Sequence, residues 1–256
     1  MRVVEVVVGM ALLGAVGGIG SGCDEKAGSK PERAGAVLDS GTGTGPTATV
    51  AQAAAAPAKP EVAVDDGAAF VAGERIEFAA PDMPGRLAVA LGRKKVEGET
   101  IVLNAARDAK LPRVATVVAA LAAKKAKGVE VRTQQRDRSM AEVDLVLDAK
   151  PAGCSAVGYI AKNGAIATWP ASGATAERFT RGMAGPDLTR GSEGIRKRVL
   201  GCDSPVWFAA ADESVTWGLV FDLVLAVMRP EDAGRPLARS VALLATTPVP
   251  GRKVEP

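Results

Sequence analysis

The chain has no histidine. That absence removes Ser-His-Asp and Cys-His nucleophile activation, imidazole-ligated zinc and imidazole proton transfer together. Any enzymatic chemistry would have to rest on Asp, Glu, Lys or Tyr159, the single tyrosine. Aromatic residues are scarce at 4%, so a core must be built from Val, Leu and Ala, which a hydrophobic content of 47% can supply. A surplus of one charge sign is lacking as well: 32 Lys and Arg against 29 Asp and Glu leave a net +3 over 256 residues. The cations are dispersed, so there is no nucleic-acid footprint. No Gly-rich phosphate loop and no metal-ligand spacing occurs, so no cofactor and no metal are expected and no catalytic residue is assigned.

What is present begins with an address. Residues 1–22 read as a lipoprotein signal peptide: Arg2, an apolar run from Val6 to Ile19, then Gly20-Ser21-Gly22 directly before Cys23. The pattern resembles that of bacterial lipoproteins, in which this cysteine is acylated, so Cys23 is the expected lipidation site and a membrane the first partner. The other reading, an uncleaved anchor helix, is disfavoured by an apolar run short of the ~20 residues a span prefers. Asp24 after the cysteine resembles an inner-membrane retention signal. It favours that membrane over the outer one, with the chain facing the periplasm. Residues 23–66 are Ala, Gly, Pro, Ser and Thr with no regular apolar period, a composition read as a disordered tether.

The remaining cysteines, Cys154 and Cys202, each stand just before a predicted strand, Ala156–Ala161 and Pro205–Ala210. In an oxidising compartment they are expected to form a disulfide.

From about residue 67 the pattern becomes regular. RIEFA (75–79) alternates like a strand, and Leu87 and Leu91 mark a short helix. TIVLN (100–104) and VEVRT (129–133) flank a helix carrying Leu111, Val114, Val118 and Leu121. Lys124, Lys125 and Lys127 close that helix where cations suit its dipole, with Gly128 as its stop. They read as a solvated helix end rather than a binding patch. Later come a strand VDLVL (143–147), a hairpin around Asn163-Gly164, and a helix capped by Thr175 with Phe179 and Met183. A strand to Ala210, an apolar helix from Val215 to Met228, and a strand Ala238–Ala245 complete the block. Arg196-Lys197-Arg198 reads as a solvated helix face. Trp169 and Trp217 read as partly buried packing.

TIVLNAARDAKLPRVATVVAAL and SPVWFAAADESVTWGLVFDLVL echo each other, with Asp108 falling on Asp212, Leu111 on Val215 and Leu121 on Leu225. The expected architecture is therefore α/β (α+β): two similar blocks of mixed sheet with helices packed on it. Residues 67–138 form a shorter first block without the hairpin, 139–248 the second, and 249–256 a disordered tail. Both aspartates are expected to accept backbone N–H bonds at a turn or a helix start, a structural role rather than a catalytic one.

The second block resembles the periplasmic domain of the ExbD/TolR biopolymer-transport family. The residues that carry this are the strand–turn–strand GYIAKNGAIATW, a small helix ATAERFTRGM, the strand and Ala-Asp turn into a helix VWFAAADESVTWGLVFDLVLAV, and a closing strand SVALLATTP. The resemblance covers about residues 141–248. It implies a domain that dimerises and contacts envelope proteins or peptidoglycan. The family's N-terminal helix carries a proton-coupling aspartate, whereas the apolar run here contains none, so that role is not carried over.

The expected function is non-enzymatic: an envelope lipoprotein acting by protein–protein or peptidoglycan contact, accessory to an energised transport system. Two alternatives stand beside it: a small-ligand-binding lipoprotein, and a hydrolase using Asp212 with Glu213 or Asp222.

Overall fold

The computed structural model describes residues 59–204, 206–229 and 240–254, and its first strand begins inside the stretch read as tether. Glu61–Val64 (β1) buries Val62 and Val64. A four-residue alternation between Pro60 and Asp65-Asp66 is too short to stand out from its Ala- and Pro-rich surroundings. It is held by pairing on both sides rather than by its own pattern. Ala68–Val71 (β2) and Glu74–Glu77 (β3) continue it as an antiparallel meander. The first block therefore has a hairpin that its sequence pattern does not reveal. Cys23, Asp24 and the rest of the chain up to residue 58 lie outside the described residues.

The first block continues with α1 (Met83–Gly92), β4 (Thr100–Ala105), α2 (Leu111–Ala123) and β5 (Gly128–Gln134). β6 (Met140–Leu145) follows. The second block runs β7 (Ala156–Ile160), β8 (Ile166–Pro170), β9 (Glu177–Phe179), α3 (Leu188–Leu200), β10 (Val206–Ala211), α4 (Trp217–Met228) and β11 (Ser240–Leu243). All eleven strands of the described residues join one mixed sheet in the order β3-β2-β1-β4-β5-β6-β11-β10-β7-β8-β9, with their four helices packed on it. The described residues belong to one compact unit.

Each block follows the same path. Three strands form an antiparallel meander, a crossover helix leads to a strand parallel to the first, and a second crossover adds one more parallel strand. β6 lies between them, antiparallel to β5 and joined in parallel to β11 by the single pair Val241–Leu145. α1 buries Leu87, Ala90 and Leu91, and α3 buries Gly191, Gly194 and Ile195 at the corresponding positions. Buried side chains of all four helices and both blocks of strands meet in one core, to which Leu91, Leu121, Ile195, Trp217 and Phe221 belong.

Several local expectations change. The segment read as a helix capped by Thr175 contains β9 instead, paired to β8. The helix starts at Leu188, where Asp187 Oδ1 accepts the Arg190 N–H at 3.0 Å just after the break at Gly185-Pro186. Gly128 does not stop α2. The stop is a Schellman arrangement in which the Ala126 N–H donates to the Leu121 carbonyl (3.1 Å) and the Lys125 N–H to that of Ala122 (2.8 Å), with Lys125 at φ 57°.

Nor is the tail disordered as far as residue 254. The indole of Trp169 donates to the Arg252 carbonyl (2.9 Å), the Val254 N–H donates to that of Ala171 (2.9 Å), and Val254 is buried. Pro248 and Pro250 lack the N–H that a regular strand would need, but these isolated bonds do not depend on them. The tail joins Trp169, Phe208 and Leu244 in a second, smaller apolar cluster.

Cys154 and Cys202 form a disulfide with Cα atoms 5.5 Å apart. They precede β7 and β10, parallel neighbours that start at the same edge, as their spacing predicted. The hairpin expected around Asn163-Gly164 forms, but of the pair only Gly164 takes a positive φ (79°), in a three-residue loop closed by the bond from the Ala161 N–H to the Ala165 carbonyl (2.8 Å). No described helix is long and apolar enough to cross a membrane.

Candidate functional site

The Ala-x-Asp turns of the two blocks do not stand apart; they pair with each other. The Trp217 N–H donates to the Ala109 carbonyl (2.7 Å), the Leu111 N–H to that of Val215 (3.1 Å), and Lys110 bridges Thr216 in antiparallel sense. In this register Leu111 lies opposite Val215, its own counterpart in the repeat. The two copies of the motif therefore meet reciprocally, as identical subunits meet across a two-fold axis.

This pairing also solves a local problem. α4 starts with unsatisfied N–H groups, and Thr216 at its N-cap makes no side-chain bond. The first block supplies the acceptors: besides Ala109, the Arg107 carbonyl takes the Gly218 N–H at 2.8 Å. A Cβ on Gly218 would stand 2.9 Å from that carbonyl oxygen, so glycine is what permits the approach.

Arg107 then seals the seam. Its guanidinium donates to both carboxylate oxygens of Asp222 of α4 (3.0 and 2.8 Å) and also to the carbonyls of Gln134 and Gly218. Arg136 adds a bond to Asp222 at 3.0 Å. Beneath them the buried indole of Trp217 donates to the hydroxyl of Thr133 in β5 at 2.8 Å.

Asp212 itself plays the expected part at the turn. Its Oδ1 accepts both the N–H and the hydroxyl of Ser214, at 3.0 and 2.5 Å. These bonds, with the charge of Lys162, hold its carboxyl below the usual range. Asp108 does not share this role: it is exposed, and among the described residues its carboxylate has no hydrogen-bond partner. The side chain two residues on accounts for one of the two missing bonds. Ser214 can turn back onto Asp212, whereas Lys110 in its place reaches across to the Ser214 carbonyl at 3.3 Å.

Of the carboxylates named as partners for Asp212, Asp222 is committed to its two arginines and Glu213 is exposed. Arg196 is not a solvated face either. Its guanidinium binds the carbonyls of Ala226, Val227 and Arg229 at the end of α4, where a cation suits the dipole.

A cavity of about 390 Å³ lies between α2, the segment after β6, and the strands β10 and β11 of the second block. Ala115, Val118 and Ala122 of α2 face Phe208 and Leu244 across it, and Lys150 comes from the segment that follows β6. Sequence reasoning missed this cavity. Alanines on an outer helix face give no periodic signal, and the wall opposite is contributed by a distant strand. Among the described residues no group of three or more acids and cysteines is placed to hold a metal ion.

No family model, curated protein or solved structure matches the chain.

Proposed function

We propose that this chain is a non-enzymatic lipoprotein of the bacterial cell envelope, anchored through Cys23. In this reading its ExbD/TolR-like domain acts by protein–protein or peptidoglycan contact, as an accessory to an energised transport system. One observation carries the reading. Residues 156–243 run strand, turn, strand, then helix, strand, Ala-Asp turn, helix and strand, which is compatible with the resemblance except that ATAERFTRGM holds the third strand β9 and the helix follows it at Leu188–Leu200; the first block repeats that order. Internal pairing of the two copies supplies within one chain the contact for which a single-copy domain would need a second subunit. The Cys154–Cys202 disulfide fits an oxidising compartment.

The test is crosslinking in cells followed by identification of the captured partners. Envelope transport components or peptidoglycan would support the reading, and exclusively cytosolic partners would defeat it. Palmitate labelling of wild type and Cys23→Ala tests the anchor, and equal labelling removes it.

The apolar cavity favours a second reading, a small-ligand-binding lipoprotein, because its volume lies within the ~300–1,000 Å³ of ordinary ligand sites. Native mass spectrometry of the protein purified from its own cells tests this. An adduct lost on Ala119→Trp would favour ligand binding over contact.

A further inference from the structure

Two basic segments remote in sequence converge at one end of the fold. Arg93-Lys94-Lys95 follows α1, and Lys124, Lys125 and Lys127 follow α2. They are tied side by side: the Gly98 N–H donates to the Lys125 carbonyl and the Lys127 N–H to the Glu99 carbonyl, both at 2.9 Å. Three acids answer the six cations. Lys95 pairs with Glu99 (2.9 Å), Lys125 with Glu97 (3.5 Å), and Arg93 with Glu74 (3.1 Å), which Arg86 shares. Lys124 and Lys127 have no acidic partner among the described residues.

Helix-end electrostatics explains part of this, since both helices present carbonyls here and Arg93 and Lys124 are their cap residues. It does not explain Lys95, Lys125 and Lys127, which stand exposed beyond the last turns. Lys125 even occupies the left-handed C′ position, where glycine is the ordinary occupant.

The position of this pole adds an independent observation. Lys94 Nζ donates to the Glu61 carbonyl at 2.6 Å, and the Pro60 carbonyl accepts the Val102 N–H at 3.0 Å. The N-terminal segment therefore reaches the fold directly beside the cations.

We infer that this pole docks the domain onto anionic phospholipid headgroups, laying it against the leaflet to which its N-terminal segment leads. The orientation rests on the lipoprotein reading above. Basic residues close to an anionic leaflet are attracted additively within a Debye length, and such a patch is the second signal that makes an acyl anchor firm. Anionic polysaccharide offers similar charges, but only a surface at the N-terminal side meets this pole first.

The test uses the full chain as Cys23→Ser, so that acyl chains do not dominate. Partition is measured onto phosphatidylcholine vesicles with and without phosphatidylglycerol. The expected result is preference for the anionic vesicles, lost in high salt and weakened at least about tenfold in Lys95→Gln/Lys124→Gln/Lys125→Gln/Lys127→Gln. The same four positions changed to Arg should retain binding, which separates charge from folding. A control that removes Arg178, Arg181, Arg190 and Lys197 in the second block should bind nearly as wild type. Equal partition onto both vesicles, equal loss in the control, or transfer of the effect to a soluble anionic polysaccharide alone would overturn the inference. Palmitate labelling of the wild type is read separately, so vesicle binding without labelling would sink the anchor and leave the docking surface standing.

Discussion

Asp212 and Asp108 occupy the same place in the repeat, but among the described residues only the Asp212 carboxylate is hydrogen-bonded. Asp212 fixes its turn through Ser214, so Asp212→Ala should lower the urea midpoint while Asp108→Ala leaves it unchanged. Equal losses would mean that the acid matters through something other than this bond. Glu130 gives a pH-dependent counterpart on the sheet face away from the helices. It is nearly buried, and its carboxyl is held below the ordinary 4.5 first by the hydrogen bond from Lys59 and then by Arg132, against the opposing effect of burial. A lowered folded pKa means that the contribution is present above 4.5 and is lost as pH falls through the lower folded value. Wild type should therefore exceed Glu130→Gln in stability at neutral pH, with the gap closing in acid. A gap that persists under acid conditions would assign the effect to packing instead of charge.

At the level of elements, α4 depends on its neighbour block for its first hydrogen bonds. Gly218→Ala tests this because two effects oppose each other. Alanine favours a helix interior over glycine by about 1 kcal/mol. Here, however, its Cβ would press on the backbone of Arg107 at 2.9 Å, and overpacking of that kind costs ~1–3 kcal/mol. The clash should win, giving a net loss of about 1 kcal/mol in equilibrium unfolding, and a stabilised variant would mean that the seam is loose. Most of the elements in the repeat were legible in the sequence. The helix faces at Leu87/Leu91 and at Leu111/Val114/Val118/Leu121, the Asn163-Gly164 turn and the edge-to-edge cysteines all follow from local period and turn chemistry. β1, β2 and β9 were not legible, because strands of three or four residues take their conformation from the strands they pair with. The seam was hidden for a related reason. The echo of Asp108 in Asp212 was visible, but nothing local says that two copies of a motif will bind each other.

For the whole molecule the question is whether duplication has produced two domains or one. One sheet, one main core and the Arg107–Asp222 grip all cross between the blocks, which favours a single cooperative unit. Among the described residues, β6 and β11 share one register pair, Val241–Leu145, continued by the bond from the Val146 N–H to the Val241 carbonyl (2.9 Å), so this sheet junction is thin and the seam carries much of the contact between the blocks. All three tryptophans lie in the second block, at 169, 207 and 217, so fluorescence reports that block and, through Trp217, its seam with the first, while far-UV circular dichroism reports both blocks. In wild type the two signals should trace one coincident urea transition. Reducing the disulfide, which closes a separation of 48 residues, should lower stability by about 4 kcal/mol in the chain-entropy account, yet leave the signals coincident, because the bridge lies within one block. Asp222→Ala should behave differently. It leaves Arg107 without its carboxylate at a partly buried site, removes the grip between blocks, and should split the transitions so that circular dichroism begins to fall before fluorescence does. If the wild-type signals already separate, the blocks are two domains that happen to share a sheet. If they stay together even in Asp222→Ala, the apolar core alone couples the blocks and the ion pair only tunes their stability.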